Sequence, residues 1–315
     1  MDLSRTVGGP SVKGTFMKKF LSILLIFCFL LSFTSCSRIK NFINPEPSTE
    51  APTAATVRVM IKPGWSVVQI AEALEENGVC TADSFIEACK TIPEGYEELF
   101  AGNENVKADS ILFPVEGYLM PETLEYYQGK DGEYALTRML DFTKKTIDSL
   151  TIDGKTAYAL AEERGLTMYE LFTLASVVQY EANFASNDVN FEILQKVASV
   201  FYNRLNNTSN FGYLESDATR AYITKKNSDY LEEIGITKDS TEYENLLKGY
   251  ETYRRGTKGL PVGPVCNPSL SVIKATLSPA DTDYYYFFTY DKDGSTEFYF
   301  SKTYSEHNSQ YKKLS

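Results

Sequence analysis

The chain has 315 residues, a net charge of −11 and 43% hydrophobic residues, which is enough for a packed core and for one large or two moderate domains. The excess of acidic residues argues against nucleic acid as a partner. His307 is the only histidine, which excludes a histidine-rich zinc site and most serine–histidine or cysteine–histidine triads, so we expect neither a metal nor another cofactor.

Residues 1–36 are typical of an export signal or a membrane anchor. Lys18 and Lys19 precede an uncharged apolar run, residues 20–37, which is either a signal with a short apolar region or a minimal membrane span. More basic residues precede the run than follow it, so the N-terminus should stay cytoplasmic. The preceding Phe-Thr-Ser makes Cys36 resemble the lipidated cysteine of a bacterial lipobox. We therefore expect anchorage in the cell membrane, with the folded part on the extracytoplasmic side.

Residues 37–55 are rich in Ser, Pro, Thr, Asn and Ala, which indicates a flexible tether. The first folded unit, residues 56–115, begins with the alternating apolar residues of a strand at 57–61. Ser66 can then cap a helix that ends near a glycine, and a second helix is predicted at about residues 83–89.

Three cysteines lie in the part of the chain that would be exported: Cys80, Cys89 and Cys266. Their number is odd and their spacing fits no metal site. A disulfide between Cys80 and Cys89 stays open, because a sequence cannot establish connectivity. The default expectation for all three is that of small buried hydrophobic residues.

One carboxylate lies on the apolar face of a predicted helix at residues 168–182. Leu174 and Val178 belong to a stripe of apolar residues at helical spacing, and Glu181 projects from within that stripe. Desolvation would raise the pKa of this carboxyl group, which is what a general acid requires. Periodicity alone favours a plainer interpretation, in which Glu181 reaches solvent past its small neighbours.

Further helices are predicted at residues 133–150 and 191–206, and the second of these follows a short polar linker. The two helices on either side of that linker should therefore be neighbours. Asn203, near the end of the second helix, could then face the same cleft as Glu181. A hairpin is predicted near the end of the chain, with strands at 284–290 and 296–301 around a turn at 291–294. The fold class is α+β.

Seven sequence blocks in order resemble the YceG-like family of endolytic murein transglycosylases. They are EGYLMPET (116–123), LASVVQYE (174–181), VASVFYNRL (197–205), SDAT (216–219), YETY (250–253), GLPVGPVCNP (259–268) and EHN (306–308). The resemblance covers about residues 57–310. No single block is decisive, and their order makes the signal specific.

The resemblance implies a LysM-like, glycan-binding subdomain at residues 56–115 and a catalytic domain at 116–315, although the first unit could equally be a scaffold without a ligand. It implies cleavage of the bond between N-acetylmuramic acid and N-acetylglucosamine with formation of a 1,6-anhydro end, and Glu181 as the catalytic residue. Peptidoglycan strands are the expected partner, with the membrane and cell-wall synthases as further candidates. The expected substrate contacts are Glu116, Asn203, Asp217, Thr219, Tyr253, Asn267, His307 and Asn308. For His307 a surface position is an equal alternative.

Two other functions stay open at this stage. Gln179 stands where the family has the first glutamate of a pair, which gives mild support to a non-catalytic protein that binds the cell wall. The second alternative is a hydrolase in which Asp217 or Glu116 supplies a second carboxylate beside Glu181.

Overall fold

The computed structural model describes residues 55–183, 190–253 and 258–314. The predicted anchor, the lipidation site Cys36 and the tether up to residue 54 lie outside the described residues. Within the described ranges, no helix is long and apolar enough to cross a membrane. The described residues form one compact unit.

Helices and short antiparallel sheets alternate along the chain, which confirms the α+β class. The helices are α1 (Val67–Glu76), α2 (Ala82–Ala88), α3 (Gly132–Ser149), α4 (Ala157–Glu163), α5 (Met168–Asn183), α6 (Phe191–Asn206), α7 (Asp217–Ala221), α8 (Ser228–Glu233), α9 (Thr241–Tyr250), α10 (Leu270–Leu277) and α11 (Tyr304–Leu314). A π-helical turn, Tyr222–Lys226, follows α7. The strands pair as β1 (Thr56–Met60) with β2 (Thr123–Tyr127), β3 (Thr151–Ile152) with β4 (Lys155–Thr156), and β5 (Tyr286–Lys292) with β6 (Ser295–Ser301).

The predicted helices of the first unit and of the rest of the chain begin and end within one or two residues of the observed bounds. The predicted hairpin is also confirmed, and its turn is shorter than expected. Asp293 and Gly294 form the turn and have φ angles of 56° and 81°. Positive φ at both central residues matches the twist of a two-residue hairpin. The ladder therefore extends to the pair Lys292 and Ser295.

The first sheet joins the two predicted domains. β1 comes from the first unit, and its partner β2 lies beyond the expected boundary between residues 115 and 116. In addition, α2 packs against α3 so closely that a Cβ on Gly132 would lie 2.2 Å from the Ser84 carbonyl oxygen. The first unit thus completes its sheet and its core with elements of the second. Its LysM-like character stays a prediction.

Helix α5 is buried on more faces than its apolar stripe predicts. It contacts α4, α6, α7 and α10, and residues 171–179 are all buried. The two hydroxyl groups in this stretch bond within the helix, with Thr173 Oγ1 2.7 Å from the Tyr169 carbonyl oxygen and Ser176 Oγ 2.7 Å from the Thr173 carbonyl oxygen. A helix surrounded in this way is rigid, so a side chain at its end is well positioned.

Gln179 lies within this packed region. Its Oε1 atom accepts a hydrogen bond of 2.9 Å from the backbone N–H of Ser269, just before α10, and its side chain is buried. Gln179 therefore connects α5 to the start of α10. Because its side chain is buried in this contact, a glutamine in place of the family's glutamate does not take an acid out of a cleft. The change at this position gives no support to a non-catalytic protein.

A buried polar cluster around Asn267 connects distant parts of the chain. The Asn267 Oδ1 atom accepts from the Leu119 backbone N–H at 2.9 Å. The Nδ2 atom donates to the Trp65 carbonyl oxygen at 3.0 Å and to Glu116 Oε1 at 2.8 Å. Every polar atom of this side chain thus has a protein partner.

Glu116 occupies the centre of the same cluster and is fully buried. Its Oε2 atom accepts from the Val67 backbone N–H at 3.2 Å and from the Tyr222 hydroxyl at 3.0 Å. Burial raises the pKa of this carboxyl group to about 7, although the donors around it act in the opposite direction.

Asn267→Ala should lower the free energy of unfolding by about 2–4 kcal/mol, because the substitution leaves a buried donor, the Leu119 N–H, and a buried acceptor, Glu116 Oε1, without this partner. Urea denaturation of the full chain measures this change. Asn210→Ala, at an exposed position, is the control and should change stability by less than about 0.5 kcal/mol. An unchanged stability for Asn267→Ala would instead favour the predicted substrate contact.

Candidate active site

A cleft of about 580 Å³ lies at the C-terminal end of α5. Its lining mixes acidic, basic and aromatic side chains, among them Glu181, Arg204, Glu215, Asp217, Lys225, Tyr253, Phe287, Phe288 and Tyr311. The cleft can therefore accept a polar ligand that also has flat apolar faces.

Glu181 is the half-buried carboxylic acid of this cleft. Ser216 Oγ donates to its Oε1 atom at 2.5 Å, and the Ala218 backbone N–H also donates to the carboxyl group. Burial is the largest influence and raises the pKa of Glu181 above its ordinary value, and the nearby charge of Asp217 raises it further. The two donors and the charge of Arg204 oppose that rise. The result is an acid that is oriented by hydrogen bonds and has a raised pKa.

Asp217 is a second, exposed carboxylate in the same cleft. Its Oδ1 atom accepts a hydrogen bond of 2.8 Å from the hydroxyl group of Tyr253. The same contact raises the pKa of the Tyr253 hydroxyl, after burial of the ring. Two acidic groups with different environments therefore lie together, one half-buried and one exposed.

Arg204 lines the cleft and bonds to the segments around it. Its guanidinium group donates to the Tyr285 carbonyl oxygen at 2.8 Å and to the Leu214 carbonyl oxygen, and it lies 5.5 Å from the centre of the Tyr286 ring. The side chain is buried. It therefore ties α6 to the segment before Ser216 and to the C-terminal hairpin, and it places a positive charge near Glu181.

Two adjacent lysines of the π-helical turn, Lys225 and Lys226, have different surroundings. Lys225 is exposed and lines the cleft. Lys226 donates to the Gly64 carbonyl oxygen and lies 5.0 Å from the centre of the Tyr180 ring. A π turn carries one residue more than an α turn and is frequent at functional sites.

Three of the predicted residues, Glu181, Asp217 and Tyr253, line the cleft. Glu116 and Asn267 do not line it, because both are fully buried with their polar atoms engaged. Their role as substrate contacts stays a prediction, as does that of Glu116 as a second catalytic carboxylate, and the structure gives both residues a role in the buried polar cluster.

Asn203 and Thr219 are also absent from the lining of the cleft. Asn203 Nδ2 donates to the Thr282 and Tyr284 carbonyl oxygens at 2.8 and 2.9 Å. Thr219 is fully buried, and its hydroxyl contacts the Ser216 carbonyl oxygen and the Thr252 hydroxyl, each at 2.9 Å. These bonds hold the segment before the hairpin and the Ser216 turn in place, and substrate contact by either residue stays a prediction.

His307 is half-buried on α11 behind the aromatic lining of the cleft. Its ring lies 5.4 Å from the ring of Phe288 and 6.4 Å from the ring of Tyr311. Burial and the charge of Arg204 lower the pKa of its imidazole. The following residue, Asn308, is half-buried on the same helix. Direct substrate contact by either residue stays a prediction.

Cys80, Cys89 and Cys266 are free and buried, so the expected role as small hydrophobic residues is confirmed. Burial raises the pKa of all three thiols. No disulfide links Cys80 to Cys89 in this structure. Among the residues that the structure describes, no group of histidine, cysteine, aspartate and glutamate side chains has the arrangement of a metal site.

Sequence reasoning did not identify Ser216, which is the direct partner of Glu181. The signal was present in the SDAT block, since Ser216 immediately precedes the predicted contact Asp217. Its role depends on a hydrogen bond between residues 35 positions apart, which no local pattern specifies.

The fold and the cleft define an α+β protein with a half-buried acid, held by two hydrogen-bond donors, in an open, aromatic-lined groove. The profile of the YceG-like family matches residues 39–313, and the chain belongs to that family. It is similar to an endolytic murein transglycosylase of Bacillus subtilis (strain 168), with 31% identity over 211 residues, which are 67% of this chain and 49% of that protein. It is 27% identical over 203 residues to a protein of the same name from Streptococcus pneumoniae serotype 2, covering 64% of this chain and 33% of that one.

A crystal structure of a yceG-like protein from Listeria monocytogenes is also similar. Its TM-score is 0.57 at 29% identity, covering 80% of this chain and 75% of that chain. The chain spans about half or less of the length of the two transglycosylases it matches.

Ser216→Ala should raise the pKa of Glu181, because the lost hydrogen bond stabilises the charged carboxylate. The measurement is a ¹³C NMR titration of the glutamate carboxyl groups, with Glu181 assigned by its absence in Glu181→Gln. Ser216→Thr keeps the hydroxyl group and should leave the titration close to that of the wild type. A titration of Ser216→Ala that is unchanged, or moved to lower pH, would show that Ser216 does not hold the acid.

Proposed function

We propose that this chain is an endolytic murein transglycosylase, which cleaves peptidoglycan strands internally between N-acetylmuramic acid and N-acetylglucosamine. The observation that carries the proposal is Glu181, a half-buried acid held by two donors in an open cleft. The similar proteins of Bacillus subtilis and Streptococcus pneumoniae bear the same name, which supports this substrate class.

In the proposed mechanism Glu181 acts twice. Burial favours its protonated form, and in that form it gives its proton to the bridging oxygen as the bond from that oxygen to C1 of the muramic residue breaks. The carboxylate then takes the proton of the muramic 6-hydroxyl group, whose oxygen forms a new bond to C1. A 1,6-anhydro ring results, Glu181 is protonated again, and no water is consumed.

Charge and shape in the cleft suit this reaction. The sugar becomes positively charged as the bond breaks, and the carboxylates of Asp217 and Glu215 lie in the same lining. The Ser216 and Ala218 donors keep the Glu181 carboxyl group oriented in both of its protonation states. Tyr253 and Phe288 offer rings on which the apolar faces of sugars can stack.

We further propose anchorage in the cytoplasmic membrane through residues 1–36, with the cleft on the extracytoplasmic side. The support is the lysine pair before the apolar run and the lipobox-like residues before Cys36. This position brings the cleft to newly made glycan strands, and cell-wall synthases are candidate partners there.

Residues 56–115, which resemble a LysM-like module, are proposed to help hold the strand.

One observation favours a second candidate function. Asp217 is a carboxylate beside Glu181, so the pair could act as the two carboxylates of a hydrolase that activates water.

The product distinguishes the two reactions. Digestion of purified murein by the full chain in detergent, followed by mass spectrometry, should yield anhydro ends that are lighter by one water than hydrolytic ends. Reducing ends alone would overturn the proposal in favour of the hydrolase.

Glu181→Gln should lower the rate of anhydro-product formation by about 10²–10⁴ or more, because the amide can neither donate nor accept the catalytic proton. Thermal stability should not fall, since a neutral group is easier to bury than an acid. Product yield and melting temperature of the full chain measure both effects.

Glu242→Gln is the matched control, because it makes the same change at an exposed position outside the cleft. Its activity should remain within about tenfold of the wild type. Near-normal activity of Glu181→Gln would exclude the assignment, whereas lost activity with a collapsed melting temperature would give Glu181 a structural role.

A further inference from the structure

A second cavity, of about 670 Å³, lies beside the last turn of α6 and shares no lining residue with the cleft. Phe201 and Arg204 on this turn line the cleft, whereas Tyr202 and Leu205 line the cavity. Successive residues of a helix point about 100° apart, so one helical turn forms part of the wall of both sites. The cleft and the cavity therefore lie on adjacent faces of the same helical turn.

Hydrogen bonds hold two aromatic side chains of the cavity floor in place. The Tyr169 hydroxyl donates to the Val262 carbonyl oxygen at 3.0 Å, and the Tyr202 hydroxyl donates to the Thr276 carbonyl oxygen at 3.0 Å. Apolar side chains, among them Leu205 and Leu260, share the lining. The cavity thus has a preformed, partly apolar floor, which fits a ligand with its own apolar side chains better than a small inorganic anion.

The charge of the cavity is opposite to that of the chain. Lys107, Arg164 and Lys258 line it, together with one acid, Glu170. The Glu170 Oε2 atom accepts from the backbone N–H and the hydroxyl of Thr167, at 2.8 and 3.1 Å, so it is engaged at the start of α5. On a chain with a net charge of −11, this is a local positive site that attracts anions.

We propose that the second cavity binds a short acidic peptide, namely the stem peptide that murein carries on its muramic residues. This inference rests on the proposed function. Stem peptides are attached close to the bond that Glu181 would cleave, and they combine free carboxylates with small apolar side chains. Lys107 and Lys258 are exposed and can pair with the carboxylates, and the apolar floor accepts the side chains.

The first test measures binding without turnover. Full-length chain in detergent is mixed with a free stem peptide, and binding is followed by saturation-transfer NMR. The double variant Lys107→Gln/Lys258→Gln should bind about tenfold more weakly, because two carboxylate contacts of modest strength are lost. The control Lys145→Gln/Lys292→Gln, at exposed lysines that line neither site, should bind like the wild type. A peptide with amidated carboxylates should also bind weakly.

Equal binding by the wild type and the Lys107/Lys258 variant, or equal binding of the amidated peptide, would overturn the inference. These results can be read even if the chain cleaves nothing, so they are independent of the proposed function.

The second test compares glycan strands with and without stem peptides. The Lys107/Lys258 variant should raise KM about tenfold for peptide-bearing strands and leave kcat and the cleavage of stripped strands unchanged. An equal change in KM for both kinds of strand would contradict peptide binding. Failure of the wild type to cleave either kind would count against the proposed function instead.

Discussion

The site depends on a carboxyl group that is carried into a low-dielectric position by the end of a buried helix. Helix α5 is enclosed by its neighbours almost to its last turn, and Glu181 emerges where that enclosure opens into the cleft. Burial disfavours the charged form of the acid, whereas Ser216 and Ala218 donate to it and limit the effect. The balance gives an acid that can release its proton and later take one back, as the proposed reaction requires.

The frame around this acid is held by polar contacts that are themselves buried. Asn267 and Glu116 connect the first unit with the segment before α10 and with the π-helical turn. Thr219 and Thr252 hold the turn that presents Ser216. Such groups are costly to bury unless every partner is in place, so they specify one arrangement of these loops rather than add much net stability. Several residues predicted to touch substrate thus also hold the frame of the site.

Periodicity and turn chemistry predicted the local elements well, because these depend on neighbouring residues. Glu181 was identifiable for the same reason, as an acid on an apolar stripe. Long-range pairings were not accessible in this way. The strand β1 pairs with β2 across about 65 residues, and Ser216 reaches Glu181 from the turn before α7. The order of the family-like sequence blocks indicated which segments meet at the site. It could not show that Asp217 faces the cleft whereas Glu116 is buried, because that difference depends on three-dimensional packing.

The central claim is that one acid performs both proton transfers, and the most direct test is the pH dependence of product formation by Asp217→Asn. The negative charge of Asp217 raises the pKa of Glu181. Its removal should therefore shift the loss of activity at alkaline pH to lower pH, while the products keep their 1,6-anhydro ends. If Asp217→Asn instead abolishes activity as completely as the loss of Glu181, or if its wild-type parent yields only reducing ends, two carboxylates share the chemistry and the single-acid account is wrong.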